Sequence, residues 1–165
     1  MTPGAGMFAA LMAAADPAAA AVKPERVWDF RGSKDPEITG LMNAHLGRAR
    51  QSFKEHGQGL AEEFGIPYDP TVAEQVQFYD TAGDITAERL RRRNGFVSAY
   101  TTPGSRAIRL PGRNLSNMDD EMVSNLIVHE LMHSMGLKED RGQSDKIQSI
   151  VNNYMKRKKK ERERK

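Results

Sequence analysis

His129-Glu130-Leu131-Met132-His133 sets two imidazoles four residues apart with a carboxylate beside the first. On an α-helix, residues four apart stand one turn above each other on the same face, so both rings can aim a nitrogen at one ion. Glu130 then lies beside that face, close to a water on the metal. The chemistry such a set performs is metal-assisted hydrolysis, with the histidines as ligands and the carboxylate as general base. Two imidazoles leave a catalytic zinc site one protein ligand short, because such sites take three protein ligands and a water. Just past Gly136, which stops the helix, Leu137-Lys138-Glu139-Asp140 supplies two adjacent carboxylates, Glu139 and Asp140, as candidates for the third position.

The rest of the chain limits what that ion can be held by. With 165 residues the chain is long enough for one domain with a single core, and it has no cysteine. Thiolate catalysis, cysteine-held metals and disulfides are thereby excluded, so any metal must take nitrogen and oxygen ligands. The formal net charge of +3 is unevenly spread: Lys156 to Lys165 holds eight basic and two acidic residues, and the body is mildly acidic. This run reads as a solvated, disordered tail over 156–165, with nucleic acid or an anionic surface as its alternative contact. No aromatic is interleaved for base stacking.

Residues 1–22 form an alanine-rich leader whose apolar run, Met7 to Ala15, is too short to span a bilayer. The leader reads as a signal peptide or a disordered segment; the lack of any Lys or Arg before Lys23 weighs against export. As a signal peptide it would make the protein secreted or periplasmic, and otherwise cytoplasmic. Residues 23–155 are then the single domain.

Several elements must position the site. Asp35-Pro36 caps a long amphipathic helix whose apolar positions, Ile38, Leu41, Met42, Leu46, Ala49 and Phe53, recur at helical spacing to an end near Gly57. His45 on its apolar side reads as a core residue, and His56 as a cation suited to the helix end. Val76 to Tyr79 is a short strand candidate, and Thr86 to Arg93 a helical turn closed by Asn94-Gly95. The basic cluster Arg91 to Arg93 reads as a solvated face. Phe96 to Thr101 faces Ala107 to Leu110 across Thr102-Pro103-Gly104-Ser105 as a hairpin. The site helix follows, capped by Ser116 or Asn117 with acidic residues in its first turn. Val123, Ile127, Leu131 and Met135 form its core stripe, and Met122, Leu126, His129 and His133 a separate one. Ser144 opens a last amphipathic helix burying Ile147, Ile150, Val151 and Tyr154.

The run His129 to Asp140 resembles the metzincin clan of zinc peptidases, whose extended pattern H-E-x-x-H-x-x-G-x-x-H uses the glycine to turn the chain back toward the metal. Glu139 occupies the slot of that clan's third histidine, and in snapalysin-like members an aspartate is the third ligand, so Asp140 stays open beside it. Ser149 to Met155 looks like the clan's methionine-bearing turn, but Val151 stands where the methionine is expected and Met155 comes later. A last helix raises a gluzincin-like rival, in which the third ligand sits on a second helix and Asp145 is the acidic residue available.

The resemblance implies an α+β, zincin-like fold, with a small mixed or antiparallel sheet packed on the long N-terminal helix and the site helix. It also implies a zinc metalloendopeptidase acting on a protein or peptide substrate with one catalytic Zn2+. Glu130 would serve as base, the substrate strand would lie along the sheet edge near Phe96 to Leu110, and Tyr154 or Tyr100 would support the oxyanion. The alternative is a catalytically silent relative that binds metal or a partner.

Overall fold

A computed structural model describes residues 28–82, 99–139 and 143–164. In chain order its elements are β1 (Phe30–Arg31), α1 (Pro36–Phe64), α2 (Val72–Gln75), β2 (Gln77–Asp80), β3 (Ala107–Leu110), α3 (Gly112–Leu115), α4 (Asp120–Ser134) and α5 (Ser144–Glu163). The fold is mixed α+β, dominated by helix. None of the described helices is long and apolar enough to cross a membrane.

Asp35 starts α1 by accepting from the backbone N–H groups of Glu37 and Ile38, with Pro36 in the first turn where its missing N–H costs nothing. The helix does not end near Gly57. It runs 29 residues to Gly65, whose positive φ of 67° closes it with bonds from Gly65 and Ile66 back to Glu62 and Ala61. Gly57 and Gly59 are packing residues instead of stops. A β-carbon at Gly57 would press on Phe53 and Tyr68, and one at Gly59 would collide with the Tyr154 hydroxyl on α5. His56 therefore sits inside the helix, edge-on to the Tyr154 ring, and burial lowers its pKa. Gly59→Ala should destabilise the protein by about 1–3 kcal/mol through overpacking. Thermal melts check this, and Tyr154→Phe in the same background should recover part of the loss.

The sheet corrects a second expectation. It is three-stranded, ordered β1-β2-β3, and parallel throughout, not mixed or antiparallel. The cause is the connection: α1 lies between β1 and β2, and a helical crossover returns the chain to pair in the same direction. In register, Phe78 stands between Phe30 and Ile108, all three buried. Of the expected hairpin, one antiparallel bridge, Tyr100 to Arg109, is present on the other side of β3. Phe96 to Ser98, the turn at Thr86 to Arg93 and the arginine cluster lie outside the described residues, as does the leader.

Helix α4 packs on α1 and is enclosed over its second half. Val123, Ile127, Val128, Leu131 and Met132 are fully buried, whereas Met122 near its start is 45% exposed. Its cap is Asp119, which accepts from the N–H of Met122, in place of Ser116 or Asn117. His45 is buried as a core residue, its Nε2 facing the carbonyl of Ser116.

The last segment is helical, with Ile147, Val151 and Tyr154 buried, so Ser149 to Met155 forms no turn. Its cap position is Gln143, with Ser144 the first helical residue. Lys156 to Glu163, read from the sequence as part of a disordered tail, continue α5. Lys, Arg and Glu are good helix formers and extend the helix anchored by Val151 and Tyr154, with exposed ion pairs from Arg157 to Glu63, Arg162 to Glu55 and Lys159 to Glu121 beside it.

Candidate metal centre

Four side chains meet at the C-terminal end of α4. His129, Glu130 and His133 are buried, and one ligand atom from each lies within 4.8 Å of the other two. Gly136 adopts φ 111°, and the N–H groups of Gly136 and Leu137 bond back to His133 and Met132. This closure reverses the chain and brings Glu139 over the histidine pair. Its Oε1 stands 3.2 Å from His133 Nε2 and 3.5 Å from His129 Nε2, while the two Nε2 atoms are 3.1 Å apart.

The protons on the rings follow from their outer partners. His133 Nδ1 lies 2.7 Å from the carbonyl oxygen of Leu137, which can only accept, so Nδ1 carries the hydrogen and Nε2 a lone pair. His129 Nδ1 faces Gln148 Oε1 at 2.8 Å, which calls for the same tautomer. Two imidazole lone pairs and a carboxylate oxygen thus converge on one point, an arrangement that suits a cation among them. The edge of a tetrahedron with ligand distances of about 2.0–2.1 Å is about 3.3 Å. The three observed edges bracket that length, so the donor set fits a small divalent ion.

Glu130 stands beside this triangle. Its Oε1 accepts from the Thr101 hydroxyl at 2.9 Å. Burial pushes its pKa from the ordinary 4.5 up to about 8, against the Thr101 bond and with the help of the Glu139 charge. Burial also lowers the pKa of His129, a shift opposed by its bond to Gln148. A cavity of about 160 Å³ opens onto the group, lined by Tyr100, Thr101, Glu130, His133, Glu139 and Ser144.

The floor of the site is fastened from outside α4. The Gly104 N–H donates to the His133 carbonyl at 2.9 Å, and the Ser134 hydroxyl donates to the Ser105 carbonyl. Arg106 donates to the Ser134 carbonyl and also pairs with Asp69 at 2.8 Å. Carbonyls that a helix end leaves unbonded are thereby satisfied, and the last turn bearing His133 is fixed.

These shifts predict how the metal-free protein, kept so by a chelator, responds to pH. Folded Glu130 keeps its proton to about pH 8 and the unfolded chain only to about 4.5, so its contribution to stability is full below 4.5 and is lost as pH rises through 8. The lowered pKa values of His129 and His56 act oppositely, giving stability that is present above about 6.5 and lost as pH falls. The limb between pH 6.5 and 8 therefore reports Glu130. Urea titrations of chelated protein should show stability falling across it, and Glu130→Gln should flatten the fall.

Of the residues singled out by sequence, the structure brings together His129, Glu130, His133 and Glu139, with Tyr100 at the cavity rim. Asp140 lies outside the described residues. Asp145 is exposed in the first turn of α5 and forms no described ion pair with either histidine. Tyr154 is packed on α1 beneath Gly59, away from the site, which removes it as an oxyanion donor. Thr101 and Gln148 were not singled out. Gln148 had one signal, a polar pair with Asn152 at helical spacing beside the buried Ile147 and Val151; Thr101 had none. Comparison with family models, curated proteins and solved structures finds no match to this chain, so its functional reading rests on this geometry.

Proposed function

We propose that the chain is a zinc-dependent, zincin-like metallopeptidase that hydrolyses peptide bonds with Glu130 as general base. The observation that carries the reading is the triangle of His129 Nε2, His133 Nε2 and Glu139 Oε1, sized for a tetrahedral ion, with a buried carboxylate beside it. Zinc is favoured because the ligands are two neutral imidazoles and one carboxylate at tetrahedral spacing, in a chain without cysteine. When bound, the ion supplies Lewis acidity, bringing the pKa of a water toward about 7 and polarising the substrate carbonyl.

The remaining work falls to the chain's own groups. Glu130 takes the proton of the attacking water and hands it to the leaving amine. Burial raises its proton affinity in the metal-free chain, and a bound cation would draw it back down toward the working range of an acid–base group. Thr101 holds Glu130 Oε1, and both residues line the cavity. Tyr100 at the rim is the candidate donor to the substrate carbonyl oxygen. A peptide lying along the segment that bridges to Arg109 would pass directly over these groups.

The test joins metal analysis to a peptide library. One zinc per chain, with cleavage abolished by a chelator and restored by added zinc, is the expected result. A chain that takes up one zinc and cleaves nothing in the library would instead be a silent metal-binding relative. A chain that takes up none would refute the reading altogether.

A further inference from the structure

The two imidazoles are oriented by unlike partners. His133 is held by a main-chain carbonyl, that of Leu137, which arrives with the turn after Gly136. His129 is held by a side chain from a different helix, Gln148 on α5. An amide side chain can present either its oxygen or its nitrogen, so its value to His129 depends on what fixes its direction.

Here the direction is coupled to a chain of amides. Gln148 Nε2 donates to Asn152 Oδ1 at 3.0 Å, and Asn125 Nδ2 donates to the same oxygen at 3.2 Å. Turning Gln148 over by itself would set its oxygen against the Asn152 oxygen and its NH2 against the Nδ1 hydrogen of His129, losing both bonds. Asn125 lies one turn before His129 on α4, and Gln148 one turn before Asn152 on α5. The seam between the two helices is thus made, at this level, of one amide network ending on a ring nitrogen.

We infer that Gln148 is the positioning residue for His129: it holds the Nδ1–H tautomer and the ring plane that aim Nε2 at the metal, in an orientation shared with Asn152 and Asn125. The inference rests on the metal-centre reading proposed above. A neutral partner also matches the charge of the ligand set. Glu139 already brings one negative charge to the ion, and a second carboxylate behind His129 would make the imidazole a stronger donor and the ion a weaker acid. Helix α5 is thereby part of the centre, although it contributes no ligand.

Zinc competition titrations on the full chain test this, with Co2+ absorption as a second readout. Gln148→Leu should weaken zinc binding by about 10–100-fold, the usual cost of removing an outer partner of a metal-bound histidine. The far-UV spectrum and the melting of the chelated protein should stay those of the parent. Gln148→Glu should restore binding to at least the parent level and shift the Co2+ ligand-field bands, which a purely structural role of residue 148 would not do. Should Gln148→Leu fail to fold, Gln148→Asn, one methylene too short to reach Nδ1, should show the same loss. Parent-like affinity in a folded Leu or Asn variant overturns the inference while leaving the metal centre standing. A parent that binds no zinc overturns the metal-centre reading itself.

Discussion

Zinc-loaded Glu130→Ala should hydrolyse peptides about 10²- to 10⁴-fold more slowly than the parent while still carrying one zinc per chain, the range expected when a general acid–base group is removed. The separation of the two readouts follows from the geometry. The three atoms that fit the ion come from His129, His133 and Glu139, whereas Glu130 is tied to Thr101 beside them. Glu130→Gln is the cleaner companion. It keeps the buried volume and can still accept from Thr101, so the metal centre and fold are left alone and only the proton transfer is lost. Initial rates on a fluorogenic peptide, with zinc measured on the same samples, decide the matter. A rate within about fivefold of the parent in both variants would remove Glu130 from the base role.

What could be read from the sequence was what is local. The i, i+4 pairing of His129 with His133, the Asp35-Pro36 start of α1 and the stripe Val123, Ile127 and Leu131 all depend on spacings within a few residues, and helical geometry converts those directly into faces. What could not be read depends on partners far away in the chain. Gly57 resembles a helix end until Phe53 and Tyr68 are seen against it, and Gly59 makes sense only under Tyr154, which is 95 positions later. β1 is two residues long, too short to show any alternation, so nothing in the sequence announced a parallel crossover around α1. The basic end of α5 is solvated as its composition implies, but its helical order was not legible, and its counter-charges, Glu55, Glu63 and Glu121, belong to α1 and α4. Gln148 was hidden for the same reason, its role being defined by a ring nineteen residues earlier on another helix.

The proposed third ligand, Glu139, is where local and distant information meet, and it gives the second large expected effect. Glu139→Ala should lower zinc affinity by more than the 10–100-fold typical of an outer-partner change, because it removes a ligand atom itself. Hydrolysis at limiting zinc should fall with it. The chain reverses at Gly136, whose φ of 111° is strained for any residue with a β-carbon but free for glycine. That turn brings the chain back within a few residues. The carboxylate that then meets both Nε2 atoms, at 3.2 and 3.5 Å, is Glu139. Glu139→Asp should recover little, since the side chain is one methylene shorter and the turn is fixed by its bonds to His133 and Met132. Asp145→Asn should leave zinc binding unchanged, its side chain being exposed on the first turn of α5. Asp140→Asn completes the set: a loss larger at 140 than at 139 would move the third ligand by one residue. Gly136→Ala should imitate Glu139→Ala in part, weakening zinc without touching any ligand, because an alanine forced to positive φ relaxes the turn and withdraws the carboxylate from the histidine pair.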